Sequence, residues 1–325
     1  VHPAFSVIFL TTLIGVGQGL FLALYSGQFY SMMKLLPGQD SQNFYAMGSL
    51  LALGFLAAGL IASIFHLGRP MRGWRSISQW RTSWLSREII ILPSTLFFVA
   101  LYGTIHYFGW TQPVFTLGEM QPVDLSLIIG TLATLSTFAL FICTAMIYAS
   151  IKFVQEWHSP LTVINYILLG TASGFTLAAA FSASIGNELV DFYATWAIIL
   201  TFTALIFRSV ALIRNSQLKQ KSSPQTAIGV RHTMIVQQAQ GAMCGSFNTR
   251  EFFHGKSLGL LKTVKIIFLM MVFPIPIVLL LATTAGFEYL SIMAFVIQYL
   301  GLIAERWYFF TEAKHPQNLY YQSVG

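Results

Sequence analysis

Charged side chains are scarce in this sequence. Eighteen Lys and Arg and eleven Asp and Glu account for 9% of 325 residues, against roughly 25% in a soluble globular domain. So few charges cannot coat a soluble globule. That excludes a soluble enzyme, a nucleic-acid-binding protein and a disordered polypeptide, even with a formal net charge of +7. Cysteine is nearly absent as well. Cys143 and Cys244 are too few for a disulfide framework or an iron–sulfur cluster, which takes about four thiolates. No Cys/His pair stands at metal-ligand spacing. What is abundant is apolar: 55% hydrophobic residues and a mean hydropathy of +0.68. The sequence reads as an integral membrane protein.

Crossing ~30 Å of hydrocarbon takes about 20 helical residues. Eight apolar runs reach that length: Phe5–Met32, Asn43–Phe65, Arg87–Phe108, Leu125–Ile151, Leu161–Ile185, Val190–Ile213, Val264–Phe287 and Tyr289–Phe310. They are too long and too continuously apolar for barrel strands, and open strands would leave backbone groups unpaired in lipid. The expected fold is an all-α integral membrane protein of eight transmembrane helices, one anchor domain over residues 1–325. The first run lacks a basic leader and a small-residue cleavage site, so it is expected to be a span and not a signal peptide. Its Gly15, Gly17 and Gly19 predict a row that lets a neighbouring helix come close. Pro93 in the third run, and Pro274 and Pro276 in the seventh, predict kinks that serve either packing or a pocket.

Eight spans put both termini on one face. Of the 18 Lys and Arg, only Lys34 falls on the opposite face. The positive-inside rule then makes the basic face, with both termini, cytoplasmic. Residues 215–263 form a long basic loop on that face, either solvated or a docking surface for a soluble partner. Loops beyond ~15 residues favour the second reading. The acids of the other face (Asp40, Glu119, Asp124, Glu188, Asp191, Glu288) are scattered singly and read as a solvated rim.

Candidate chemistry concentrates on the basic face. His66 ends the second span and opens the Arg- and Trp-rich run to Glu88, which starts the third. Glu305 and Arg306 interrupt the last apolar run, where ionisable groups are costly and mark function, although snorkelling lowers that cost. Gln18 stands mid-span in the first run, where an amide usually bonds between helices. An imidazole, a carboxylate and arginines at one membrane face suit a quinone, whose carbonyls need donors and whose reduction needs two protons; a polar ligand pathway would look similar. A bis-His haem needs two imidazoles at matching depth. His66 and His106 lie at opposite ends of the bilayer, so no haem is expected.

The run His66-Leu67-Gly68-Arg69-Pro70-Met71-Arg72, followed by Trp84-Leu85-Ser86-Arg87-Glu88, resembles the membrane anchor subunit of the dimethyl sulfoxide reductase family. Glu305-Arg306 with Phe309-Phe310 looks like the end of that family's last helix, and the eight-span plan is similar over nearly the whole sequence. The resemblance implies a haem-free subunit of a bacterial inner-membrane complex. It passes electrons between membrane quinone (ubiquinone or menaquinone) and a four-cluster iron–sulfur subunit docked on it beside a molybdopterin catalytic subunit. The iron–sulfur clusters and molybdenum belong to those partners. It assigns quinol chemistry to His66 and Glu88, with Gln18, Arg72 and Arg306 as further quinone-binding candidates. The opening residues 2–9 and the segment 246–255 look closest to the branch of cytoplasm-facing sulfite dehydrogenases, which implies sulfite oxidation with electrons delivered to quinone. The alternatives are the anchor of a dimethyl sulfoxide or polysulfide type reductase, a purely structural anchor, and a small-molecule transporter.

Overall fold

The computed structural model describes residues 1–65, 70–117, 121–186, 188–219, 223–236 and 255–316. Among the described residues are eight helical spans, each long and apolar enough to cross a membrane. The first is α1 (Phe5–Met32). A π-helical turn, Ser41–Ala46, runs directly into α2 (Met47–Ile64). A 3-10 helix, Pro70–Gln79, precedes α3 (Trp84–Tyr107). Then come α4 (Leu125–Ala149), α5 (Pro160–Ser184) and α6 (Val190–Ser216). The short α7 (Pro224–Ile228) lies outside the spans. The seventh span consists of α8 (Leu258–Val272) and α9 (Pro274–Thr284), and the eighth is α10 (Leu290–Glu312).

Local chemistry sets several of these starts. Ser83 Oγ accepts the Ser86 N–H ahead of α3, and Asp124 Oδ1 accepts the Leu127 N–H ahead of α4. Ser159 caps α5 with Pro160 at its first position. Such caps satisfy donors that a helix cannot pair itself. Asp40 caps the π-helical turn in the same way, and the Asn43 N–H holds its carboxyl below the usual carboxylate range. Pro274 has no N–H to donate, and the span divides there, with Phe273 at φ −116° and ψ −77°. By contrast, α3 runs unbroken through Pro93.

Three expectations change. A small antiparallel hairpin, β1 (Pro113–Leu117) and β2 (Gln121–Asp124), joins α3 to α4 on the acidic face, so the fold is nearly but not wholly helical. The seventh span begins at Leu258, taking Lys262 and Lys265 into its first turns. The loop expected as a docking surface is therefore shorter, and its residues 237–254, with Cys244, lie outside the described residues.

The spans are not equivalent. In α1 and α5, 83% and 78% of the apolar window is buried, against 39% or less in the others. These two helices form the axis, and the remaining spans present large apolar side chains such as Phe97, Leu135, Phe202 and Val278 outward. In water such a surface would be an aggregation hazard; in lipid it is solvated.

The axis depends on glycine. A Cβ on Gly174 would lie 2.0 Å from the Gly19 carbonyl carbon and 2.2 Å from Leu20 N, and a Cβ on Gly19 would lie 2.1 Å from Gly170 O. Gly15 also meets Gly170, whereas Gly17 faces α2, 2.9 Å from Ala52 O. The expected single row is thus two contacts on opposite sides of α1, as residues two apart on a helix require. In membranes, close backbone approach replaces the hydrophobic drive that holds soluble helices together.

Gly174→Ala forces backbone against backbone and is expected to cost at least ~3 kcal/mol, the top of the range for an overpacked core. Gly54→Ala, where nothing lies within 4 Å of the added atom, is the neutral control. Abundance in membranes and thermal denaturation in detergent check both; equal stability of the two variants would refute the close crossing.

Candidate functional site

Glu88 lies on α3, one turn inside the Ser83 cap. It does not sit at the helix mouth as its position suggested. It turns inward, 6% exposed, and Thr144 Oγ1 of α4 donates to its Oε1 at 2.5 Å. Its neighbour Arg87 points the other way. The Arg87 guanidinium donates to the carbonyls of Trp80 and Arg81 at 2.9 and 2.8 Å and lies 4.1 Å from the Trp84 ring centroid. This clasp ties the segment before α3 to the turn that carries Glu88.

Thr144 also lines a cavity enclosed by α1, α4, α5 and α10. Gln18, Phe141, Tyr166, Ser173 and Arg306 share that lining. Its water-holding volume is about 20 Å³, room for roughly one water molecule. Gln18 crosses between helices, as expected, and donates from Nε2 to Thr137 O at 2.9 Å.

Arg306 does not snorkel. It is 5% exposed, its guanidinium carbon lies 4.0 Å from the Tyr166 ring centroid, and its Nε meets Glu305 Oε2 at 2.9 Å. Glu305 Oε1 in turn meets Arg208 Nε of α6 at 2.8 Å. The result is a buried Arg–Glu–Arg triad. Arg208 also packs over Phe268 of α8, 5.6 Å from its centroid.

On the basic-face side of the triad is a second cavity. Glu156, Thr162, Asn165, Tyr166, Arg208 and Arg214 are among its lining residues, together with Glu305 and Arg306. Tyr166, early in α5, and Arg306 touch both cavities.

The structure therefore brings Gln18 and Arg306 to one cavity, with Glu88 behind its wall, bonded to the lining residue Thr144. Arg72 is exposed on the 3-10 helix and lines neither cavity. His66 lies outside the described residues. Sequence reasoning missed Thr144, Asn165, Tyr166 and Arg208. Arg208 carried a usable signal: it stands within the apolar run of α6, two turns before that helix ends, which marks a charge in need of a partner.

A second polar network was also missed at the acidic-face end. Tyr102 Oη donates to Gln28 Oε1 at 2.7 Å, Gln28 Nε2 to Ser126 Oγ at 2.5 Å, and Ser126 Oγ to Asp124 Oδ1 at 2.7 Å. Asp124 is thus a structural cap rather than part of a solvated rim. His106 packs against Tyr45 and Tyr102, and its Nδ1 is 2.6 Å from Ser41 Oγ. Among the described residues no group of three or more His, Cys, Asp or Glu could hold a metal ion.

Eight apolar spans enclosing buried ionic groups define a polytopic helical membrane protein with buried charge near one face. The protein belongs to the DMSO reductase anchor subunit (DmsC) family, whose model matches residues 1–311. It is similar to the C subunit of the sulfite dehydrogenase of Allochromatium vinosum, 60% identical over 325 residues and spanning the full length of both proteins. More distantly it is similar to the C component of the anaerobic dimethyl sulfoxide reductase of Haemophilus influenzae, 30% identical over 128 residues, 39% of this protein and 42% of that one. It is also similar to the YnfH component of an anaerobic dimethyl sulfoxide reductase of Escherichia coli, 31% identical over 154 residues, 46% of this protein and 48% of that one.

Proposed function

We propose that this protein is the haem-free, quinone-reactive membrane subunit of a molybdenum/iron–sulfur complex in a bacterial inner membrane. Electrons from sulfite oxidation reach it through a docked four-cluster iron–sulfur subunit and leave on quinone. The relative that matches along the full length supports the sulfite reading over a dimethyl sulfoxide reductase anchor. The basic loops support a cytoplasmic position for the partners.

The observation that carries the quinone assignment is the inward-turned Glu88 carboxyl, bonded to Thr144 beside a polar cavity inside an apolar bundle. Reducing a quinone takes two electrons and two protons. The electrons come from the partner's clusters, and Glu88 is the group placed to deliver protons. The cavity is water-sized and too small for a quinone ring, so the ring binds outside it, with His66 and Arg72 as the proposed donors to its oxygens. Gln18 and Arg306 act from the inner side, through the cavity. The Arg87 clasp fixes the connection carrying Arg72 relative to Glu88.

Purification through a tag on this protein is expected to bring iron and molybdenum with it and to yield sulfite-dependent quinone reduction. Purification of the tagged protein alone would favour the transporter reading. His66→Ala is expected to lower quinone-linked turnover at least ~100-fold, within the range for losing an acid–base group, with the complex still assembled. Normal quinone-linked rates in that variant would remove His66 from the site.

A further inference from the structure

A carboxyl that gives protons to a ligand must be reloaded, and Glu88 is 6% exposed. The geometry points to one route for that reloading: the two water-sized cavities, which share Tyr166 and Arg306 in their walls, form the proton entry from the basic face to Glu88. This inference rests on the quinone reading above and names residues that reading does not use.

The route can be followed by its groups. Glu156, Arg214 and Asn215 are partly exposed at the basic-face end and line the outer cavity. Asn165, Arg208, Glu305 and Arg306 line the same cavity deeper in, each 5% exposed or less. Tyr166 and Arg306 continue into the inner cavity, where Thr144 is bonded to Glu88. Thr144 belongs to the wall of the inner cavity and donates to the Glu88 carboxyl, so a single hydroxyl spans the step between them.

Unmet hydrogen-bonding groups mark where water sits. Asn165 Oδ1, Arg208 Nη2 and Arg306 Nη1 are buried without a hydrogen-bond partner. Buried polar groups are rarely left so, and water satisfies them where the cavity is polar and has room. The cavities offer about 10 and 20 Å³, and a water needs roughly 10–15 Å³. One water in each cavity and the Tyr166 hydroxyl, buried without a partner on a residue that lines both, give a relay that can pass a proton by exchange of O–H bonds. An unpaired arginine across such a path would repel the proton, as in water-selective pores. Here Glu305 lies between the two guanidiniums and offsets one of their charges. Each quinone reduced draws two protons along this path and two electrons from the partner's clusters; nothing else is consumed.

The test uses the intact complex in native membranes, with sulfite as donor and a soluble quinone as acceptor. Tyr166→Phe keeps the ring beneath Arg306 and removes only the hydroxyl. It is expected to lower kcat ~10-fold with KM for quinone unchanged, and to raise the solvent deuterium isotope effect on kcat to ~2 or more, as a slowed proton transfer requires. Asn165→Leu should do the same, and Asn165→Asp should restore more than half of the rate. Unchanged kcat and isotope effect in assembled Tyr166→Phe and Asn165→Leu complexes would overturn the route. Glu88→Gln, measured alongside, separates the two claims. If it slows turnover while both relay variants run normally, the quinone reading stands and the route falls. If Glu88→Gln itself runs normally, the reading beneath the route has failed.

Discussion

Glu88→Gln is expected to lower quinone-linked turnover ~100-fold, about 2.7 kcal/mol of barrier, while leaving assembly and the KM for quinone nearly unchanged. The substitution preserves shape and one hydrogen bond, because the amide oxygen can still accept from Thr144 Oγ1 as the Glu88 carboxyl does. What it removes is a group that can take up and give a proton, and acid–base groups of this kind contribute ~10²–10⁴ in rate. A loss confined to kcat marks an interaction made in the reaction and not in binding. Thr144→Val provides the contrast. It leaves the carboxyl in place and removes the hydroxyl that donates to it, so a smaller loss is expected, together with a changed pH–rate profile. Steady-state rates across pH in membranes check both variants. An unaltered pH–rate profile in Glu88→Gln would contradict proton delivery by this residue.

Most of the architecture was legible because the bilayer imposes a length. The first span is the same, Phe5–Met32, in sequence and structure, and six of the other seven differ by no more than three residues at either end. The seventh differs because Lys262 and Lys265 look like loop residues, although a lysine is long enough to carry its charge to the interface from the first turns of a helix. The hairpin on the acidic face was hidden by its brevity. Its strands have five and four residues, with Pro113 and Pro122 among them, and proline argues against a strand except at an edge, which every strand of a two-stranded sheet is. The glycine row was legible as close packing but not in direction: α1 is buried on nearly all sides, so hydropathy could not tell the α5 face of Gly15 and Gly19 from the α2 face of Gly17. In the candidate site, Glu88, Gln18 and Arg306 stood out as polar residues in apolar surroundings. Their partners did not. Thr144 and Tyr166 are ordinary in a transmembrane helix, and the pairing of Arg208 with Glu305 joins two helices far apart in sequence, which no local pattern encodes.

That pairing carries the second large effect. Glu305→Leu is expected to destabilise the fold by about 3–5 kcal/mol, the usual cost of stranding buried charge. Arg208 and Arg306 are 3% and 5% exposed, and Glu305 is the carboxylate each one contacts directly. Removing either arginine alone should cost less, because Glu305 keeps the other as a partner. Arg208→Leu also loses the contact with Phe268, and it releases Glu312 from the charge of Arg208, although Glu312 retains the amide of Asn215. The combination Arg208→Leu, Glu305→Leu and Arg306→Leu should recover much of the stability, since apolar side chains of similar volume often replace a buried ionic triad without loss. It cannot recover the donors that line the two cavities. The expected pattern is therefore the single Glu305 variant poorly assembled, the triple variant assembled, and quinone-linked turnover low in both. Thermal denaturation of the purified complex measures the first quantity and turnover per assembled complex the second. A Glu305→Leu complex melting with the native one would mean that water or lipid already neutralises the arginines. A triple variant with native turnover would reduce the triad to a packing element.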